Sequence, residues 1–457
     1  MPSQLQRKAL PASVAALLAI NSMAAPGRAS AVELPALDNV PPGPSALRTV
    51  TNCDDSGAGS LRDVVANAVS GDVIDLTQLA CSEITLFNGK IAVTVSDLTL
   101  LGPGTGPEAS QPLAIYGFYD RIFEHGAGTL VISGLNLRAG HYAGVFARGG
   151  CVSSGGTLVI EDSIVSGCEV DAPFGSNVFA AGGGIYTTGA LWLKNTAVTN
   201  NTAYSATQRA YGGGVFASYI VTIEQSTIAG NVALAPQAYA IGGGLMVGGF
   251  SDVTIVSSTI SGNEAELAAG MHVDTLGTSQ IINSTVSGNY ASMYVGAALF
   301  LNTPVTLINS TVTRNSAYGW YSAAIYSDQA ITVQSSIVAA NRDVSTGLTF
   351  DICAPTVGGA ANLITASCVS TPADTITQCP RLTALEDHGG PTWTHALIFG
   401  GPGIDQGNNT AGLAADQRGV SYARVVGVDA DVGAYEWQGE LGDNIFKSAF
   451  ETACDEY

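Results

Sequence analysis

Apolar and polar positions alternate with period two in short runs such as Val221-Thr222-Ile223 and Val253-Thr254-Ile255, and the runs themselves recur along the chain. They are rich in β-branched residues and carry no sustained i, i+3, i+4 stripe, so each reads as a short strand. Seven segments between Leu158 and Asn341 align on one template. Their last residues are Cys168, Asn201, Asn231, Asn263, Asn289, Asn315 and Asn341, spaced by 33, 30, 32, 26, 26 and 26 residues. Eight positions before these anchors stand Ile160, Leu193, Ile223, Ile255, Ile281, Leu307 and Val333. Three positions before stand Val165, Val198, Ile228, Ile260, Val286, Val312 and Val338. Between the two aliphatic columns runs a hydroxyl column, Ser163, Thr196, Ser226, Ser258, Ser284, Ser310 and Ser336, each residue beginning a turn.

A repeat of this length is one supersecondary unit stacked on copies of itself, so the pattern predicts an all-β solenoid whose aliphatic columns bury one another from coil to coil. Asn at a tight turn tolerates a left-handed backbone, and stacked amides hydrogen-bond between coils; Asn201, Asn231, Asn263, Asn289, Asn315 and Asn341 are expected to form a structural ladder. A second column of small residues precedes each segment: Gly182-Gly183-Gly184, Gly212-Gly213-Gly214 and Gly242-Gly243-Gly244, then the looser Ala269-Gly270, Ala297-Ala298 and Ala323-Ala324. Small residues let coils sit closely. The glycines lead into strands and not into a helix N-terminus, which argues against a phosphate cradle.

Residues 59–71 read as a short amphipathic helix with Ser60 at the N-cap, Asp63 three residues on, apolar Leu61, Val64, Val65 and Ala68, and Gly71 as the stop. Laid on the first coil, it would cover an exposed strand edge. Looser copies of the rung lie at 91–101, 113–119 and 130–140, giving about ten coils and a rod on the order of 50 Å long. After Thr371 the period stops and a turn-rich module follows, read as a C-terminal cap. The organisation expected is therefore a signal peptide at 1–31, a linker at 32–47, an N-terminal lead-in and cap at 48–90, coils at 91–378, the C-terminal module at 379–437 and a tail at 438–457.

Composition narrows the class. The 457 residues carry a net charge of −20 with 17 Lys and Arg, which argues against nucleic acid because that partner needs a basic stripe. Residues 1–31 have the order of an export signal: Arg7 and Lys8, an apolar stretch from Ala9 to Ile20, then Ala29-Ser30-Ala31 or Met23-Ala24-Ala25 as cleavage options. No later run reaches the ~18 apolar residues of a membrane span. The expected address is outside the cell, where eight cysteines permit disulfides. Cys53 with Cys81, and Cys353 with Cys368, read as pairs; Cys151 and Cys168 read as small buried residues.

Two stretches carry a family resemblance. The segment from Thr49 to Arg62 resembles the N-terminal part of exported bacterial right-handed parallel β-helix proteins. His388-Gly389-Gly390-Pro391-Thr392-Trp393-Thr394-His395, Asp416-Gln417-Arg418-Gly419 and Asp431-Val432-Gly433-Ala434-Tyr435-Glu436 are similar to the choice-of-anchor Q domain that ends such helices. Segments such as Ser284-Thr285-Val286-Ser287-Gly288-Asn289 resemble repeats of polymorphic outer membrane proteins, without a stretch that reads as their membrane barrel. The resemblance implies a right-handed parallel β-helix at the outer surface of a Gram-negative-type bacterium and a sorting role for the tail; it implies no reaction.

A hydrolase or lyase on acidic polysaccharide needs paired acids, a base and a basic clamp. The strict repeat supplies none. Asp120, Arg121, Glu124, His125, Arg138, His141 and Arg148 crowd within 29 residues and form the candidate catalytic patch; the alternative reading is solvated loops. Asp429, Asp431 and Glu436 echo a Ca²⁺ loop but fall short of its spacing, and with Asp405 and Asp416 they read as partners of Arg418 and turn amides. No cofactor or metal is otherwise expected. His272 stands alone and reads as a surface or satisfied histidine. Aromatic residues near the small column, among them Tyr186, Tyr204, Tyr211, Phe216, Tyr290 and Trp320, suit stacking on carbohydrate or a partner, or simple cover for loop edges. Two functions follow: a non-catalytic adhesive or carbohydrate-binding rod with an extracellular glycan or surface-protein partner, or a polysaccharide lyase or hydrolase.

Overall fold

The computed structural model describes residues 46–439 apart from 105–111, 146, 175–177, 294–295, 320–322 and 346–349. The expected signal, nearly all of the linker and nearly all of the tail lie outside the described residues, as does Trp320. Everything described belongs to one compact unit.

One coil shows how the pattern becomes a fold. Strand Thr157–Glu161 turns at Asp162 and Ser163 into Ile164–Ser166, turns again at Gly167 and Cys168 into Glu169–Ala172, and returns through Ala180–Ala181 and three glycines to Ile185–Thr187. The next coil begins at Leu191 directly above Leu158. Among the described residues repetition generates four long parallel sheets of 12, 11, 8 and 10 strands, here called the first to fourth sheets in the order the chain visits them, and a short one of three strands that includes Ala180–Ala181. The result is a right-handed parallel β-solenoid. Both aliphatic columns point inward, and none of their fourteen residues exposes more than 1% of its surface. A buried Ile or Val contributes roughly 1.5–3 kcal/mol, so every added coil deepens one continuous core.

Two ladders hold the corners. Between the second and third sheets, Asn201 Nδ2 donates to Asn231 Oδ1, and so on through Asn263, Asn289, Asn315 and Asn341, each amide contact being 2.8–2.9 Å. Each Oδ1 also accepts the preceding rung's backbone N–H at 3.0 Å. The series ends on the buried carboxylate of Asp351, which accepts from Asn341 Nδ2 at 2.9 Å. The left-handed backbone expected at the ladder Asn belongs instead to the residue before it: Gly167, Asn200, Gly230, Gly262, Gly288, Arg314 and Ala340. That shift aims the amide inward.

The hydroxyl column makes a second ladder at the corner between the first and second sheets. Ser226, Ser258, Ser284, Ser310 and Ser336 each accept the N–H of the rung before at 3.0–3.2 Å. The residues preceding this ladder, Asp162, Asn195, Gln225, Ser257, Asn283, Asn309 and Ser335, all have φ between 44° and 54°. None is glycine. A ladder of hydrogen bonds at every corner holds them there.

At the N-terminal end the helix is Leu61–Ala66, capped by the Ser60 hydroxyl on Asp63 N at 3.2 Å. It stops at Asn67 and not at Gly71, one turn or so shorter than the pattern suggested, because Asn67 closes the last carbonyls with its own N–H and side chain. Leu61 and Val65 are buried on the core, with Val64 and Ala68 packed beside them. Stacking starts before residue 91: Leu47–Thr49 and Asp72–Asp75 already pair in the first sheet, tied by the Arg48–Asp72 ion pair.

The turn-rich module covers a flank of the solenoid. Its antiparallel strands Leu382–Glu386 and Thr394–Leu397 share a small core with Ile337, Ala339 and Leu363. Outer positions of the second sheet record the change. They are half-buried at Ile164, Ala197 and Thr227, and buried at Thr259, Thr285, Thr311 and Ile337. Thr259 Oγ1 donates to Trp393 O at 2.7 Å, Thr285 Oγ1 donates to Gln417 Oε1 at 2.6 Å, and Thr311 Oγ1 accepts Ala434 N at 3.0 Å. The last coil is met by residues 365–379, where Ile376 bridges to Leu363 and Val369 packs on the core.

Disulfides join Cys53 to Cys81 and Cys353 to Cys368. Cys151 and Cys168, expected to be merely small and buried, form a third: the coil brings the first ladder position under the glycine column. Cys379 is also disulfide-bonded.

Candidate functional site

The coil distributes the seven candidate catalytic residues over different faces. His125 points inward from strand Phe123–His125, with Nδ1 2.9 Å from Ser154 Oγ and Nε2 3.1 Å from Ser96 O. It is a core histidine. Arg138 leaves the second sheet and His141 the third, both toward solvent. Asp120 accepts the backbone N–H of Arg121 at 2.8 Å. Arg121 is buried against Glu124 and lies 3.9 Å from the Tyr142 ring centre. Lys90 binds the other oxygen of Glu124 at 2.7 Å. Burial pushes the Glu124 carboxyl up, yet the Lys90 hydrogen bond and the charges of Arg121 and Lys90 outweigh it and hold the group below its ordinary value. Such a carboxylate is already spent on two cations and is a poor general acid. Arg148 lies over Phe179 and Tyr186, at 5.4 and 5.1 Å. The patch is thus an ion-paired corner, a core histidine and separate surface cations, with no acid facing a base.

A different assembly does form. Alternation along the fourth sheet sends Ile185 and Thr187 inward and Tyr186 outward, and register stacks Tyr186, Phe216, Met246, His272, Phe300 and Tyr326 in one column on the outer face. Tyr186 and Phe216 stack 5.2 Å apart, His272 and Phe300 lie 4.9 Å apart, and Phe300 and Tyr326 stack at 5.2 Å. The signal was legible in principle, since each member is the second residue after the small-residue column. His272 is neither at the surface nor satisfied. It is 7% exposed, its Nδ1 has no hydrogen-bond partner, and burial lowers its pKa to about 4 against the opposing pull of Asp274 and the Phe300 backbone. Tyr326 is pushed up to about 12 by burial and by Asp328.

The acids of the C-terminal module serve the module. Asp416 Oδ2 accepts from Arg418 Nε and Nη2 at 2.9 and 2.6 Å and Oδ1 from Nε at 3.2 Å, and the guanidinium lies between the Tyr422 and Tyr435 rings at 3.9 and 3.7 Å. Asp405 and Asp431 accept backbone amides of Val428, Asp405 and Trp437. Arg424, which the sequence did not single out, is wholly buried on Glu436 and on the carbonyls of Asp431 and Gly433. Among the described residues no three His, Cys, Asp or Glu side chains are grouped to hold a metal ion, and no helix is long and apolar enough to cross a membrane.

This architecture agrees with comparison to known proteins. The family model described as right handed beta helix region matches residues 121–297 and 222–374, together more than half of the chain, and the chain belongs to that family. Among solved structures, that of pectate lyase Pel9A is similar over 86% of this chain and 97% of that one, at 12% identity and a TM-score of 0.40, a likeness that carries no argument about activity. No curated protein matches the sequence.

Proposed function

We propose that the protein is a secreted or cell-surface β-helix that works by non-catalytic interaction, as an adhesive or carbohydrate-binding rod outside a Gram-negative-type cell. The observation that carries this reading is the in-register outer column from Tyr186 to Tyr326, an apolar and aromatic strip on the outer face of a rigid sheet in which Phe216 and Tyr326 are half-buried and the other four are buried. The export-like residues 1–31 and the net charge of −20 support the address. The choice-of-anchor Q resemblance of the flank module and the tail at 438–457 support delivery to the surface. The competing reading, a lyase or hydrolase of acidic glycans, loses its candidate machinery to three separate faces. Purified mature protein, assayed for uronate release with and without Ca²⁺ and on a glycan array, separates the two. Binding without turnover is expected; turnover that disappears in Arg148→Ala would overturn the proposal.

A further inference from the structure

Beside the ring column, at the next outward position, Gly248 pairs with Asp274, and Asn302 and Asp328 directly follow the paired strand ends Leu301 and Ser327 on the next two coils. Asn302 Nδ2 donates to Asp274 Oδ1 at 3.4 Å, while Asn302 Oδ1 is buried without a partner. At Gly248 an added Cβ would meet nothing within 4 Å, so the column opens into free space. On one side stand His272, Phe300 and Tyr326. Two residues beyond Gly248 along the chain is Phe250, 80% exposed. The strands Leu245–Gly249, Met271–Thr275, Leu299–Leu301 and Ala323–Ser327 contain no Lys or Arg.

We propose that this face is a binding site for a neutral polysaccharide running along the solenoid axis, a proposal that rests on the carbohydrate-binding reading above. The chemistry is complementary to a hydroxyl-rich, uncharged chain. Planar carboxylate and amide groups accept or exchange paired hydroxyl hydrogen bonds, and the exposed Phe250 ring takes the apolar face of a sugar. Parallel stacking places one polar group every ~4.8 Å along the axis, so an extended glycan meets Asp274, Asn302 and Asp328 in turn. Two carboxylates with no neighbouring cation on these strands repel a uronate, which turns the preference away from acidic glycans.

Affinity electrophoresis in β-glucan, mannan and xylan, against polygalacturonate and alginate, tests this. At least one neutral polysaccharide is expected to retard the protein and neither uronate to do so. Phe250→Ala and Asp274→Ala are each expected to weaken that retardation about tenfold, and Phe87→Ala, at an exposed aromatic elsewhere, to leave it unchanged. Both test positions are exposed, and equal melting temperatures would show that the variants fold. Retardation by uronates alone overturns the proposal. Neutral retardation that survives both variants overturns the site while the carbohydrate-binding reading stands. Retardation by none of the five removes both.

Discussion

Replacing Asn263 by Ala takes one rung from the middle of the amide ladder. Its Oδ1 accepts Asn231 N and Nδ2 at 3.0 and 2.9 Å, and its Nδ2 donates to Ile228 O and Asn289 Oδ1 at 3.0 and 2.9 Å. Alanine leaves two donors of Asn231 without these acceptors and withdraws a donor from the Ile228 carbonyl, all in a corner where Asn263 is 0% exposed. At about 1–3 kcal/mol for each of these three buried groups, the loss is on the order of 3–9 kcal/mol. Asn195→Ala is the control. Asn195 is exposed and makes a single side-chain contact, to Asp162 at 2.7 Å, so its removal, with alanine taking over a left-handed φ of 45°, should cost only about 1 kcal/mol. Urea unfolding gives the magnitude, and hydrogen exchange gives the place, because nearest-neighbour stacking confines the damage to the adjoining coils. The ladder argument is refuted if the two variants melt alike, or if protection falls uniformly from end to end.

Further expectations concern the cross-link and the flank module. Cys151→Ala with Cys168→Ala opens a bridge between residues 17 apart, and about 3 kcal/mol should be lost, read by thermal melting after non-reducing peptide mapping has located the bond. Arg418→Ala strands the buried Asp416 carboxylate and should cost about 3–5 kcal/mol, with any Ca²⁺ affinity unchanged in calorimetry. Glu436 is pushed up to about 7, chiefly by burial, with the Asp431 charge adding to it. The folded state therefore holds the proton more tightly than the unfolded one, and the contribution of Glu436 is fully present below about pH 4.5 and is lost as pH rises through 7. Relative to Glu436→Gln, the native chain should lose up to about 3 kcal/mol across that window in pH-dependent melts; a flat difference would disprove the assignment.

The coils were legible because stacking imposes the same demand at the same place every turn. Val165 and Val198 need only be apolar and in phase, and periodicity records that directly. Ser226 and its neighbours carried the same regularity, but a hydroxyl at a turn has several common uses, so their ladder became visible only with the backbone N–H groups in place. The candidate patch failed for the opposite reason. Asp120 to Arg148 are close in sequence, whereas in a coil about 30 residues long such closeness spreads side chains around the perimeter; residues one period apart, such as His272 and Phe300, are the ones that meet. The Cys151–Cys168 bridge was hidden likewise, because its partners belong to corners that adjoin only when the coil closes. Nothing periodic marked the flank contact, since the module that seals it does not repeat.

That flank contact orders events during biosynthesis. Thr259 and Gln417 are 158 residues apart along the chain, so the stripe from Thr259 to Ile337 stays uncovered until the module around Gln417 has been made. A copy that ends early would still wind its coils, but it would expose that stripe to any other copy in the same condition.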